Sequence, residues 1–404
     1  MRKVLVRSMV MAAMLTAVSG CNSYSALQPN SSSYLSAQTL ALGINQVPAA
    51  LAGTYSHQLG FNRYTKVTAP NGKAIHIIAQ DKLSDNQIVR ARSVLEHFLT
   101  PYPGSEYGAD KTAVANMMTE NNATLLLLNG SDDGSNRAAE LDGQPLYQSE
   151  IQVEGHRWYI EQNYDHRDAT FEEILHLVHD TGIGVDQYER FYGALPAYQA
   201  EIRNAQVSAL ASNLWGVGSE NQAWIQELSA ENSLSQEYLA AVVDSYYGLW
   251  GAWSESSSYG MWGLYVAKNR SEIMSEDKLG AQLMDNRFFH PYLTYNARID
   301  EGFSGDFSLR IDPSKPYTHH SQYLKDVTLT GSHDSNVVVN ELDNNITGNH
   351  GFNKVIFSGE FAQYRISRKQ EGNVVISDLV DNRDGVNMLN KIEQLVFADK
   401  TLSL

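Results

Sequence analysis

The chain has 404 residues and a formal net charge of −16, because 46 Asp and Glu residues outnumber 30 Lys and Arg residues. This acidic excess argues against a nucleic-acid-binding protein, since phosphates are bound by clusters of Lys and Arg. Hydrophobic residues make up 43% of the chain and charged residues 19%, a composition typical of globular rather than disordered proteins. The length allows two or three domains.

The N-terminal segment has the pattern of a signal peptide. A basic start, MRKVLVRS, precedes the apolar run MVMAAMLTAV, which is too short to span a bilayer. The following VSGC contains Cys21, the single cysteine of the chain, so an intrachain disulfide is excluded. This segment resembles a bacterial lipobox, which implies a lipoprotein signal peptide over residues 1–20 and lipidation of Cys21. The alternative is a free thiol in a secreted protein.

The residues after the cysteine predict the location of the protein. By resemblance to proteobacterial lipoproteins, Asn22 implies anchoring in the bacterial cell envelope, at the outer membrane or cell surface. The lipid is then the only expected contact with the membrane. Residues 21–58 are rich in Ser, Asn and Gln and predict a flexible tether.

Strands and helices alternate after this tether. The apolar stretches AIHIIAQ (74–80) and ATLLLLNG (123–130) predict buried strands. Residues 84–100 predict a helix, because Ser84 is a suitable N-cap and apolar residues follow at helical spacing. KTAVANMMTENN predicts another helix.

The pattern then becomes mainly helical. QPLYQSEIQVEG and HRWYIEQ predict two paired strands with Glu-Gly in the turn. The stretch FEEILHLVHDTG predicts a helix that Asp168 or Thr170 caps and Gly182 ends. Residues 185–285 are mostly helical in pattern. They include GLWGAWSESSSYGMWGLYV, rich in Gly, Trp and Tyr, which either packs a core or lines a pocket.

The FEEILHLVHD helix carries several possible metal ligands. Glu172, His176 and His179 follow the i, i+4, i+7 spacing of one helix face, and Glu173, His176 and Asp180 form an overlapping set. The apolar residues between them mark the opposite face as buried. The ligand-bearing face is therefore expected to line a cleft or to face solvent.

The pentapeptide EEILH resembles the H-E-x-x-H helix of zincin metallopeptidases, with Glu172 in place of the first histidine. The resemblance implies that Glu172 and His176 bind zinc and that Glu173 is the general base that activates a metal-bound water. His179 and Asp180 are candidates for a further ligand or for a partner that orients a ligand. A carboxylate in place of imidazole makes the site harder, so Mn, Fe or Co compete better with zinc.

A second stretch, SQEYLAAVVDSYYG (235–248), resembles the third-ligand helix of the gluzincin group. The resemblance implies that Glu237 is the third ligand and that Tyr246 and Tyr247 end the helix. The second Glu of the gluzincin pattern is Ala241 here.

Other interpretations of these residues remain. Glu172 could serve only as a favourable charge at a helix N-terminus, in a non-catalytic adhesion protein whose aromatic run 246–265 forms the contact surface. A glycan-active enzyme with paired carboxylates is disfavoured, because Glu172 and Glu173 are adjacent and diverge.

The C-terminal part predicts a separate β-rich module. GNHGFNKVIFSG (348–359) resembles the calcium-binding RTX nonapeptide, but Asn349 replaces a Gly and Asn353 replaces the calcium-binding Asp. The following segment resembles the flank of β-rolls in secreted bacterial proteins, on Asp384, Gly385, Ile392, Glu393, Phe397, Ala398 and Asp399. The resemblance implies a surface module with a weak indication of calcium binding.

Together these patterns predict an α+β protein. A zincin-like metallopeptidase domain, with a mixed sheet followed by a helical part, is expected over residues 59–325. A small all-β RTX-like module is expected over residues 326–404. The predicted function is metal-dependent hydrolysis of a peptide or protein substrate, with non-catalytic surface adhesion as the alternative. The patterns do not define an oligomeric state.

Overall fold

The structure is a computed structural model that describes residues 35–164, 168–186, 193–255, 259–369 and 372–404. Cys21 and the predicted signal peptide lie outside these ranges. Within them the chain forms a mixed α/β structure with eleven α-helices and three sheets. Among these residues, no helix has both the length and the hydrophobicity required to cross a bilayer.

The first sheet has the strand order β1-β2-β3-β4, and its strands are Phe61–Thr68, Ala74–Gln80, Thr124–Leu128 and Gln144–Tyr147. β1 and β2 are antiparallel, whereas β3 pairs in parallel with both β2 and β4. β2 and β3 are covered on both faces, which accounts for their nearly continuous apolar sequence. Ile77 and Leu127 face the large hydrophobic core, and Ile78 and Leu126 face a smaller cluster that contains Tyr55.

The described part of the predicted tether packs against this sheet. Residues Ala37–Ala41 form helix α1, and Ile44 is fully buried in the large core. Asn45 forms a β-bridge with Tyr64 of β1. Leu42 packs against the same core, and Val47 and Leu51 pack against the smaller cluster, so this segment is anchored to both faces of the sheet.

Nine of the described helices follow β2 and precede the C-terminal strands in the sequence, two of them before β3 and seven after β4. They are α2 (Asp85–Leu99), α3 (Thr112–Glu120), α4 (Arg157–Glu161), α5 (Thr170–Val178), α6 (Pro196–Ala211), α7 (Gln222–Glu231), α8 (Leu234–Tyr246), α9 (Arg270–Glu276) and α10 (Lys278–Met284). The predicted capping of α2 by Ser84 is confirmed, since the Ser84 hydroxyl accepts a hydrogen bond from the Gln87 amide.

The predicted strand pair before α5 is wrong in its second member. QPLY forms β4, but RWYIE forms helix α4 instead of a strand. The His156 ring accepts a hydrogen bond from the Trp158 amide at the start of α4, and Gln162 ends it in the left-handed conformation. Local capping therefore outweighs the β-propensity of Trp, Tyr and Ile in this short segment.

The C-terminal part of the chain winds between two sheets. Its strands are β5 (Leu293–Ile299), β6 (Gly305–Ser308), β7 (Leu324–Leu329), β8 (Ser335–Val338), β9 (Asn344–Thr347), β10 (Lys354–Ile356), β11 (Tyr364–Arg368), β12 (Val374–Asp378), β13 (Val386–Asn390), β14 (Gln394–Val396) and β15 (Thr401–Ser403), with helix α11 (Thr318–Ser321) between β6 and β7. The sheet orders are β11-β12-β13-β9-β7-β5 and β15-β14-β10-β8-β6.

Successive strands from β5 to β10 alternate between these two sheets. Each turn of the chain therefore adds one parallel strand to each sheet. Val327, Val337, Ile346 and Val355 form part of the core between them. The winding starts at Leu293, before the predicted module boundary, because β5 and β6 pair with β7 and β8.

A buried lysine lies where α2 and α3 meet. The ammonium group of Lys111 donates a hydrogen bond of 2.8 Å to the Phe98 carbonyl oxygen and lies 4.1 Å from the centre of the Phe288 ring. Burial lowers the pKa of Lys111 to about 7.

The titration of Lys111 predicts a pH-dependent stability. An unfolded lysine keeps its proton up to about pH 10, so between about pH 7 and pH 10 the unfolded chain binds more protons than the folded chain. Because of Lys111, the free energy of unfolding is therefore expected to increase as the pH rises, by up to about 1.4 kcal/mol per pH unit in that range. Lys111→Met should remove this slope. Urea unfolding of both proteins at about pH 7.5 and about pH 9.5 measures it, and equal changes in the two proteins would contradict the prediction.

Candidate metal centre

Helix α5 carries Glu172, Glu173 and His176 into the interior of the protein. Its start is supported by Asp168, whose Oδ1 atom accepts a hydrogen bond of 3.1 Å from the Thr170 amide. Carboxylates in its first turn interact favourably with the helix dipole. All nine residues of α5 are buried, against α2, α8 and β4. The expectation that one face of this helix lines an open cleft or faces solvent is therefore wrong.

Helix α8 supplies the third predicted ligand. α8 packs against α5 and places Glu237, in its first turn, beside the two α5 residues. One possible ligand atom each from Glu172, His176 and Glu237 lies within 4.8 Å of the others. The three residues are 4%, 1% and 5% exposed, respectively. This buried group could hold a metal ion, and its members are the three predicted ligands.

The two ring nitrogens of His176 face different carboxylates. Nε2 lies 3.8 Å from Oε1 of Glu237, and Nδ1 lies 3.6 Å from Oε2 of Glu173. Neither nitrogen has a hydrogen-bond partner among the described residues. Buried polar atoms are usually hydrogen-bonded, so an imidazole that lacks hydrogen bonds but lies among carboxylates could bind a cation.

The charge around His176 outweighs its burial. Burial alone would lower its pKa, but Glu237, Glu173 and Glu172 raise the pKa of His176 to about 10. The surroundings thus favour positive charge at this ring. The same carboxylates would attract a divalent cation. The cation would displace a proton from the His176 ring, because histidine binds metals in its deprotonated form.

Glu173, the predicted general base, lies outside the ligand group but next to it. Its Oε2 atom accepts a hydrogen bond of 2.6 Å from Nε2 of Gln144, the first residue of β4. No sequence pattern marks Gln144, because it precedes Glu173 by 29 positions.

His179 and Asp180 follow α5 in a π-helical turn, His179–Ile183, and make other contacts. The Nε2 atom of His179 lies 2.5 Å from Oε1 of Gln199, and burial lowers the pKa of His179 to about 4. Oδ1 of Asp180 accepts a hydrogen bond of 3.0 Å from Gln236. Neither residue belongs to the ligand group. Because Gln236 precedes Glu237, the Asp180 contact holds the start of α8 in place.

A small cavity lies beside the segment that precedes α5. Trp158, Tyr164 and Trp250 line it together with the carboxylates of Asp168 and Asp244. The rings of Tyr164 and Trp250 stack at 4.9 Å between centroids. The predicted alternatives for the Trp-rich run thus both apply to Trp250, which is buried in the core and lines a cavity.

No family model, no curated protein and no solved structure matches this chain significantly.

Arg90 and Tyr295 hold the start of α5 in place from two other elements. Arg90 of α2 forms buried ion pairs with Glu154 and with Asp168, immediately before α5. The hydroxyl of Tyr295 on β5 donates a hydrogen bond of 2.8 Å to the same Glu154 carboxylate. This network joins α2, the start of α5 and β5. Sequence reasoning missed it because Arg90 and Asp168 are 78 positions apart.

Proposed function

We propose that Glu172, His176 and Glu237 bind a divalent metal ion and that the protein is a metal-dependent peptide hydrolase. The observation that carries the proposal is the buried His176 ring, which has carboxylates near both nitrogens but no hydrogen bond to either among the described residues. The donor set fits a metal ion, since zinc binds both imidazole nitrogen and carboxylate oxygen.

Zinc is the proposed ion, although the donor set differs from that of the zincins. Exchange of a histidine for Glu172 adds a negative charge and a hard oxygen ligand. Manganese, iron and cobalt are therefore expected to bind relatively better here than at a site with two histidines.

The resemblance to zincins assigns the proton transfer to Glu173. A bound divalent ion supplies Lewis-acid chemistry at this place. Oε2 of Glu173 accepts a hydrogen bond from Gln144, which leaves Oε1 to take the proton.

Two observations favour a second candidate, a non-catalytic protein that a metal ion stabilises. The three ligands are almost completely buried. The edge of β4 also offers little to an extended peptide, because Pro145 has no N–H and the Tyr147 amide already donates to the Glu150 carboxylate at 3.2 Å. In this case the ion joins α5 to α8.

Glu173→Gln distinguishes the two candidates. The variant keeps the three ligands, and its amide oxygen can still accept hydrogen bonds from Gln144 and His176, so it is expected to retain a bound metal ion. Loss of the general base is expected to lower hydrolysis by about 10²–10⁴-fold. Metal content and cleavage of a casein or peptide-library substrate measure both quantities. Wild-type protein that binds metal, unfolds at lower temperature after chelation and cleaves no substrate supports the second candidate instead.

For the C-terminal part, we propose an RTX-like β-roll that is held by amide groups rather than by calcium. The alternation of strands between two parallel sheets supports the roll. In its 348–353 turn, the buried Asn353 amide nitrogen donates to the carbonyl of Ser335 and to Oδ1 of Asn349, each at 2.9 Å. Oδ1 of Asn353 accepts a hydrogen bond of 2.7 Å from the Asn349 amide. With its NH₂ group donating and its oxygen engaged, this side chain organises the turn in place of an ion.

The proposed location is the bacterial cell envelope, with lipid attached to Cys21. Its support is the lipobox-like sequence VSGC and the preceding apolar segment.

A further inference from the structure

A short chain of contacts connects the first sheet to the proposed ligand His176. Gln144 begins β4 at the edge of the sheet, and its Nε2 atom donates to Oε2 of Glu173 at 2.6 Å. The same Oε2 atom lies 3.6 Å from Nδ1 of His176. On the other side of the ring, Nε2 lies 3.8 Å from Glu237.

We infer that Gln144 is a positioning residue for metal binding, which acts through the Glu173 carboxylate to present Nε2 of His176 to the ion. The inference rests on the metal centre proposed above. It concerns ligand orientation and is separate from the general-base role of Glu173.

The chemistry of imidazole supports this role. A neutral histidine that binds metal through Nε2 carries its proton on Nδ1, and in proteins that N–H is usually donated to a carboxylate, carbonyl or water. In this buried site, Oε2 of Glu173 lies on the Nδ1 side of the ring. The ring orientation therefore depends on where Oε2 is held.

Gln144 fixes that oxygen from a rigid element. A glutamate side chain has three rotatable bonds, so contact with its own helix does not define the carboxylate position. β4 pairs with β3 over Gln144–Tyr147 and packs against α5, so its backbone is well anchored. The amide of Gln144 thus provides a fixed donor opposite His176.

Substitutions separate this role from a general effect on folding. Gln144→Leu keeps the approximate size of the side chain and removes the donor. Gln148→Leu is the matched control, because the Gln148 amide, four residues along the chain, donates instead to the Lys82 carbonyl at 2.9 Å. Glu173→Leu removes the intermediate carboxylate.

The experiment is a competition titration of zinc against a chromogenic chelator, on metal-free wild type and these variants. Gln144→Leu is expected to weaken zinc binding by about 10–100-fold, the usual effect of losing a group that orients a ligand, and Gln148→Leu should match the wild type. In a Glu173→Leu background, Gln144→Leu is expected to add no further loss. Nitrogen-15 spectra of the zinc-bound wild type should show His176 metallated at Nε2 and protonated at Nδ1.

Two results overturn the inference while the metal centre stands: equal zinc affinity in Gln144→Leu and Gln148→Leu, or metallation of His176 at Nδ1. The nitrogen-15 measurement uses the wild type, so it tests the inference even if a variant folds poorly. A wild type that binds no zinc overturns the metal centre and this inference together.

Discussion

His176→Ala is expected to abolish metal binding and, with it, any metal-dependent hydrolysis. His176 is the only nitrogen donor in the group, and it lies between Glu237 and Glu173. Without it, two carboxylates remain as protein ligands, one fewer than catalytic zinc sites use. The measurement is metal content by mass spectrometry after dialysis against a small excess of zinc.

His179→Ala is the matched control for this prediction. His179 is a buried histidine less than one helical turn further along, and its Nε2 atom contacts Gln199 instead of the carboxylates of the group. This variant is expected to lose stability but to retain metal. Equal metal content in wild type and His176→Ala would show that the proposed group does not hold the ion.

Arg90→Ala is expected to lower the free energy of unfolding by about 3–5 kcal/mol, the usual cost of removing one member of a buried ion pair. The guanidinium group is buried between Glu154 and Asp168, whose carboxylates outweigh the effect of burial and raise the pKa of Arg90. The substitution leaves two buried carboxylates without their cation. It also frees Asp168, which supports the first turn of α5.

Arg157→Ala tests whether this cost depends on burial. Arg157 pairs with Glu161 at 2.8 Å on the surface of α4, where both side chains are exposed. Exposed pairs contribute about 1 kcal/mol or less, so this variant should unfold almost as the wild type does. Urea unfolding of the three proteins measures the difference. Similar values for Arg90→Ala and Arg157→Ala would contradict the account of the buried network.

The sequence predicted the elements that have strong local signals. AIHIIAQ forms β2, and Ser84 caps α2, because a continuous apolar run and a capping residue depend only on neighbouring positions. The prediction was less accurate for the helix at FEEILHLVHD, since α5 ends at Val178 and continues as a π-helical turn. Helix termini depend on tertiary contacts, such as the one between His179 and Gln199.

The candidate site was predicted only in part, for a similar reason. Glu172, His176 and Glu237 could be selected because residue types and spacing are properties of the sequence. Gln144 and Arg90 could not, since their roles depend on partners that only the fold brings near. The burial of α5 on all sides was also missed. A helical periodicity shows which face is apolar, but it does not show that a polar face is covered by α8.

The proposed metal centre is best tested by calorimetric titration of zinc into the metal-free wild type and into Glu172→Ala. The wild type is expected to bind one zinc ion per chain, and Glu172→Ala is expected to bind zinc markedly more weakly, because Glu172 is one of the three proposed ligands. If Glu172 served only the helix dipole, Glu172→Ala would lower the free energy of unfolding by about 1 kcal/mol or less and leave zinc affinity unchanged. No binding by the wild type, or equal affinity in both proteins, would contradict the proposed metal centre.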